Sequence, residues 1–450
     1  MLLPDELIAS ILDWATLRQH AHCSQALHQK RDYETIRSLT LVSSRFRRIA
    51  TPLLFEEIRF TDPRLPGRSM VPPSEPVKKM HQLFKDNPSL RPLCQSMYVD
   101  IDDTADIKEN DFIIVNDFIS WFKNLRNLVV VGGFYSSTPD IVRTSMLSLI
   151  GRTQDLTRVK SFNIEGNMWY ETGGISLSEV VKHMDVSSLK TLEVTAAGMS
   201  DLSTISEILT PEKSRSAPFT SVKLKGCKDY PEAIASFIHW PKELEHFTIN
   251  TSGSFVSDMS LLEMGRCLSA HKDTLKTIYI DLLGFSHGLS FRGCDFPHLE
   301  VLRLSRTQIC EDPWNRNFEW HPSHADLLLG PKLHTFGLVF GVMGHSLINN
   351  WGHKEEEWIR QLAKAAAKRR SALRTIDITF SPVSPYPNLK QGTYPDWEYI
   401  YPWDRMDKLG AEIQRDGLTL RYTAPPWTKE EWLREVTNWT APLCCSCRDL

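Results

Sequence analysis

The chain has 450 residues, 41% hydrophobic and 24% charged, with 52 basic against 55 acidic residues and a formal net charge of −3. That balance fits a soluble globular protein with a large core and excludes a global attraction to nucleic acid or to an anionic membrane. No apolar run reaches the ~20 residues of a membrane span, the N-terminus lacks a secretory leader's basic flank, and nine cysteines show no framework spacing, which predicts a cytoplasmic and/or nuclear protein with reduced thiols. The sequons at Asn250 and Asn438 then carry no sugar.

The first element starts at Leu3-Pro4-Asp5-Glu6-Leu7, where proline is pre-set for a first helical turn and two carboxylates suit the positive end of the helix dipole. Leu7, Ile8, Ile11 and Leu12 follow as one apolar stripe. A polar interval from Arg18 to Tyr33 separates this helix from a second, in which Ile36, Leu39, Val42 and Phe46 recur at spacings of three and four. Arg45, Arg47 and Arg48 lie near its end, and Pro52 cannot continue a helix interior, so Leu53-Leu54-Phe55 belongs to a third short apolar element. A module of this size leaves much of its surface open, so apolar side chains remain for a partner or for a neighbouring domain that the helices cap.

Two blocks, Leu3-Pro4-Asp5-Glu6-Leu7 with Ile11-Leu12 and then Ser38 through Phe55 (SLTLVSSRFRRIATPLLF), resemble an F-box of the fungal type. The resemblance implies a helical module that binds a Skp-type adaptor and, through it, cullin and RING subunits of an SCF-type ubiquitin ligase. The contact residues it implies are Leu3, Pro4, Leu7, Ile11, Leu12, Leu41, Val42 and Phe46. The polar interval is longer than the family's usual link between these helices.

A proline-rich stretch, Asp62 through Pro76, has no hydrophobic period and reads as a linker or surface loop, with a helix adjoining it, over 61–89. From about 90 to 380 a short pattern, apolar-x-x-apolar-x-apolar, recurs ten times. Its slots begin at Cys94, Leu125, Val159, Leu189, Phe219, Leu244, Leu275, Leu299, Leu333 and Leu373, at steps of 24 to 40 residues. Helix-like segments such as 111–122, 140–149, 177–184, 202–209, 233–238, 261–268 and 355–367 lie between them. The pattern resembles degenerate leucine-rich repeats. Only Asn167 and Cys227 occupy the turn position where that family places asparagine or cysteine.

The predicted fold class is therefore α/β: an all-α module at 1–60, then an irregular leucine-rich-repeat-like solenoid with parallel strands inside and helices outside. An ordinary α/β domain of alternating strands and helices is the other reading. Residues between the buried slots point to the open, concave face. There Tyr98, Asp100, Asn163, Glu165, Glu193, Lys223, Lys225, Tyr279, Asp281, Arg303 and Asp377 are the candidate target-binding residues, a mixed pattern suited to a protein ligand rather than a phosphate track.

Nine of thirteen tryptophans lie beyond residue 310. The aromatic, proline-stiffened segment from Ser381 to Trp403 is either a target-binding lip or a cap for the last repeat, within a region spanning 381–450. The terminal Cys447-Arg448-Asp449-Leu450 has the wrong interior residues for a prenylation box.

Enzyme signals are weak. Gly284-Phe285-Ser286-His287-Gly288 matches a hydrolase nucleophile elbow, but no helix follows directly. His20, His22, Cys23 and His28 fit no recognised zinc spacing. The expected function is a non-catalytic, cofactor-free and metal-free substrate-recognition subunit of a ubiquitin ligase. The alternative is a ligase-independent protein-interaction scaffold.

Overall fold

The computed structural model describes residues 3–18, 30–60, 69–102, 106–132, 138, 140–151, 158–165, 174–184, 188–199, 213–251, 259–281, 283, 288–310, 318–340, 351–380 and 401–440. Packing divides the chain into two compact units, Met1–Asp229 with Trp240–Lys242, and Tyr230–His239 with Glu243–Leu450. Both are α/β, with strands that run parallel in chain order and helices between them.

The first unit opens with helices α1 (Asp5–Ala15), α2 (Tyr33–Val42) and α3 (Ser44–Phe55). The second predicted helix is two. Ser43 takes an extended conformation (φ −161°, ψ 166°) and its hydroxyl accepts from the Phe46 backbone N–H, so it ends α2 and caps α3 in one residue. Pro52 lies inside α3 rather than ending it. The polar interval is closed at its neck by a two-residue antiparallel pair, β1 (Leu17–Arg18) with β2 (Lys30–Arg31). The Asp32 N–H also donates to the Thr16 carbonyl at 2.8 Å.

The stretch after α3 is only partly a surface loop. Met70 and Val71 are fully buried, and both N–H groups donate to the Asp100 carbonyl. Helix α4 (Glu75–Asp86) then packs Phe84 edge-on against Phe55 of α3, with ring centroids 5.7 Å apart. That contact ties the helical module to the strands that follow.

Strands β3 (Glu57–Ile58), β4 (Ser96–Asp100), β5 (Asn127–Val131), β6 (Ser161–Glu165), β7 (Thr191–Thr195) and β8 (Ser221–Cys227) form the parallel ladder of the first unit. The second unit repeats the plan with β9 (His246–Thr251), β10 (Thr277–Ile280), β11 (Val301–Ser305), β12 (Thr335–Phe340), β13 (Thr375–Phe380) and β14 (Thr419–Tyr422). β4 to β13 are the ten predicted units. All three apolar slots of each are at most 1% exposed.

One carbonyl at the start of each strand accepts two successive N–H groups of the next. Gln95 O receives Arg126 N at 2.7 Å and Asn127 N at 3.0 Å; Arg126 O, Lys160 O and Lys190 O repeat the arrangement in the first unit. Glu245 O, Lys276 O, Glu300 O and His334 O repeat it in the second. These shared bonds fix where the strands that make them begin.

In the second unit Tyr401, Trp403 and Trp432 are buried together. The Trp403 indole donates to Thr423 O at 2.9 Å and its ring packs on Phe380. Part of the C-terminal aromatic excess therefore fills the core beside β13 and β14. Most of the aromatic, proline-rich segment, residues 381–400, and Cys444, Cys445 and Cys447 lie outside the described residues.

Candidate functional site

Two faces carry side chains whose chemistry the fold leaves available. The first is on the helical module, whose interior is small and closed: Ile8, Leu12, Ile36 and Ala50 are buried, and Phe46, Leu39, Leu53 and Leu54 pack on them. The single stripe expected on α1 is two. Ile8 and Leu12, one turn apart, face inward, whereas Leu3, Leu7, Ile11 and Trp14 share a neighbouring, outward face and are 47–80% exposed. Leu12, expected among the partner contacts, is thus a core residue. Phe46 leans on the same core, which leaves it only partly open.

At the end of α2, Leu41 and Val42 are 73% and 65% exposed. Of the twelve exposed large apolar side chains among the described residues, these six fall between positions 3 and 42, so the exposure is concentrated rather than scattered. Trp14, the most exposed of all, was not singled out in the sequence, although its spacing from Leu7 and Ile11 (i+7 and i+3) carries the signal. Pro4 precedes the first turn of α1 and is exposed.

Charges set the angle of this face. Arg45 Nε donates to Asp5 Oδ1 at 2.8 Å, Arg48 pairs with the other oxygen, and Arg45 also donates to the Leu3 carbonyl. The Arg45 guanidinium, with Arg48 beside it, holds the Asp5 carboxyl below the usual carboxylate range. The start of α1 is thereby pinned to α3.

The second face is the side of the strands opposite the buried slots. In the first unit the register aligns Tyr98, Val129, Asn163, Glu193 and Lys223 in one row. Arg59 stacks 3.6 Å over the Tyr98 ring. Glu193 is shared by Lys225 at 2.6 Å and Lys223 at 3.5 Å, so one carboxylate offsets about half of the charge of the basic spot. Asp100 is half-buried. Asn163, expected on the open face, is 7% exposed because it sits between flanking strands in a tight part of the row. The Glu165 side chain lies outside the described residues.

In the second unit the row is Thr248, Tyr279, Arg303, Gly337, Asp377 and Arg421. Arg303 crosses Gly337 to reach Asp377 Oδ2 at 2.5 Å. A Cβ on Gly337 would overlap the Arg303 stem, so the glycine is what lets an ion pair span two strands. One rung further along, Asp281 falls between Asn250 and Ser305. It is 4% exposed, not open as expected, because Tyr279 and these neighbours crowd it. Asn250 Nδ2 donates to Asp281 Oδ2 at 3.0 Å, while among the described residues no hydrogen bond reaches Asp281 Oδ1 or Asn250 Oδ1. Burial pushes the Asp281 carboxyl up to about 7, against the opposing pull of the Ser305 and Tyr279 hydroxyls. Burial, and then the Asp281 charge, also raises the Tyr279 phenol.

No group of three or more His, Cys, Asp or Glu with metal-holding geometry occurs among the described residues, and no described helix is long and apolar enough to cross a membrane. Ser286 of the elbow-like motif, and His20, His22, Cys23 and His28, lie outside the described residues. No family model matches the sequence, and no curated protein matches it.

Proposed function

We propose that this chain is the substrate-recognition subunit of an SCF-type ubiquitin ligase, in which an F-box-like helical module docks onto a Skp-type adaptor and a leucine-rich-repeat-like array captures a protein target. The observation that carries this reading is the division of apolar side chains on α1 and α2. Ile8, Leu12 and Ile36 close the module's own core, while Leu3, Leu7, Ile11, Trp14, Leu41 and Val42 stay in solvent. Burying such side chains on a partner contributes roughly 1.5–3 kcal/mol each, enough for a few to hold an interface.

On this reading the chain does no bond chemistry. It raises the local concentration of a target beside a ubiquitin-loaded enzyme, and the catalytic groups belong to partners. The target meets the mixed-charge strand rows, where Tyr98, Glu193, Lys223, Lys225, Tyr279, Arg303 and Asp377 offer aromatic and paired-charge contacts typical of protein interfaces.

Co-expression with a Skp-type adaptor tests the docking step. The expected result is a stoichiometric complex that Leu7→Asp and Val42→Asp each abolish without altering the circular dichroism of the free chain. A complex indifferent to both substitutions, or none at all, overturns the assignment. Cullin in the adaptor pull-down distinguishes a ligase subunit from a ligase-independent scaffold.

A further inference from the structure

The turns that lead into β12, β13 and β14 form an edge of the second unit that neither proposed interface uses. Residues 328–335, 369–375 and 413–419 are described throughout. The His334 carbonyl accepts from Arg374 N and Thr375 N, each at 3.0 Å, and the Arg374 carbonyl accepts from Thr419 N at 2.8 Å. The three turns therefore lie side by side at the strand spacing of about 4.8 Å. The one-turn helix Gln414–Asp416 also packs on the helix His353–Arg369, which brings the second and third turns together from behind.

This edge is rich in cations. Lys332, Lys368, Arg369, Arg370, Arg374 and Arg415 are all exposed on it. Carboxylates interrupt it at Asp326, held by Arg369 at 2.8 Å, at Glu300, 3.8 Å from His334, and at Asp416. Among the described residues Lys368, Arg370, Arg374 and Arg415 make no ion pair. Arg374 Nη1 donates to the Ser371 and Leu373 carbonyls at 2.9 and 2.7 Å, which anchors the guanidinium to its own turn and leaves its other N–H groups for a ligand. Arg370 ends the helix in the left-handed region (φ +49°, ψ +41°); its N–H closes on Ala367 O and that of Ser371 on Ala366 O, both at 3.0 Å. Glycine is the usual residue at such a helix end, because an L side chain is strained there. An arginine held against that strain points to a use for its side chain.

We propose that this edge binds an acidic, extended segment of a partner protein, whose carboxylates pair with Arg370, Arg374 and Arg415. Guanidinium groups match carboxylates with two parallel hydrogen bonds, and alternate side chains of an extended segment point the same way about 6.6 Å apart, a spacing that neighbouring turns can meet. The interrupting carboxylates favour a peptide with discrete charges over a continuous phosphate track. The proposal stands or falls independently of adaptor docking, because none of these residues is in the helical module.

The test uses the full chain and a fluorescein-labelled octapeptide of alternating glutamate and threonine, with its glutamine–threonine counterpart as the uncharged control, read by fluorescence anisotropy. The expected result is saturable binding of the glutamate peptide, at least roughly tenfold tighter than the control at about 50 mM salt and several-fold weaker at about 300 mM. Arg370→Gly removes the cation and the backbone strain together, so it should weaken binding without lowering the thermal midpoint, an outcome that a mere helix cap would not give. Arg370→Glu with Arg415→Glu should turn the preference toward a lysine–threonine octapeptide. Both arginines are exposed, so unchanged circular dichroism is expected for that pair. Equal binding of the glutamate and glutamine peptides, affinity untouched by these substitutions, or tighter capture of an oligothymidylate of the same length or of phosphatidylserine vesicles would overturn the proposal.

Discussion

Asp281 occupies a position that favours its neutral form. The folded protein keeps its proton up to about pH 7, whereas an unfolded chain releases it near 3.8. A group with a raised folded-state value supports the fold most fully at acid pH, and that support is lost as pH climbs from about 4 to about 7, by an amount on the order of 4 kcal/mol. Asp281→Asn keeps the shape and removes the proton. The variant should therefore be more stable than the parent at pH 8 and lose that advantage by pH 5; superimposable pH–stability curves in urea would show that the carboxyl ionises freely. Gly337 poses a steric question instead. Gly337→Ala drives a methyl into the Arg303 stem, so the Arg303–Asp377 pair should break, with a loss of about 1–3 kcal/mol measured by thermal unfolding. If Arg303→Ala in the same background restored nothing, the clash would lie elsewhere.

At the scale of elements, the helical module should separate stability from binding. Ile36→Ala empties a fully buried position and should cost about 2–5 kcal/mol, whereas Leu7→Ala, half exposed, should cost less than about 1 kcal/mol in denaturant titrations. Equal losses would mean that α1 hides both faces in solution. The strands were the most legible part of the sequence, because a buried slot admits only apolar residues and the repeat states that requirement ten times over. The two ladder strands missed, β3 and β14, have specific reasons. Phe55, Ile58 and Phe60 fit the same triplet around β3, but Phe55 also completes α3, and in the sequence it closes the third short apolar element of the module. At β14 the first slot is Gly417, whose left-handed φ of +81° ends the preceding turn and leaves no apolar mark. The break at Ser43 was hidden because helical spacing carries across a one-residue cap. Side-chain exposure in the strand rows was the least legible feature. Alternation tells which way Asn163 and Asp281 point, not how tightly their neighbours enclose them.

Within each unit a strand touches mainly the strands before and after it, so stability is passed along locally rather than pooled in one centre. β12 is paired on both sides and nearly all buried, whereas β14 pairs with β13 through four residues and leaves Thr419 and Arg421 exposed. Hydrogen exchange read by mass spectrometry should show β12 amides outlasting those of β14 by well over an order of magnitude, since end elements open at lower free energy. Equal protection would indicate that the second unit opens only as a whole. The carbonyls shared between successive strand starts have a further effect on how the chain tolerates change. Because each rung is set by the one before it, the length of the return path between strands does not alter where the next strand is seated. A stretch of 24 residues and one of 40 deliver the chain to equivalent footholds. Loops on the far side can be lengthened or trimmed while the rows of facing side chains stay in line, so a recognition surface can be altered at its margins without being re-registered.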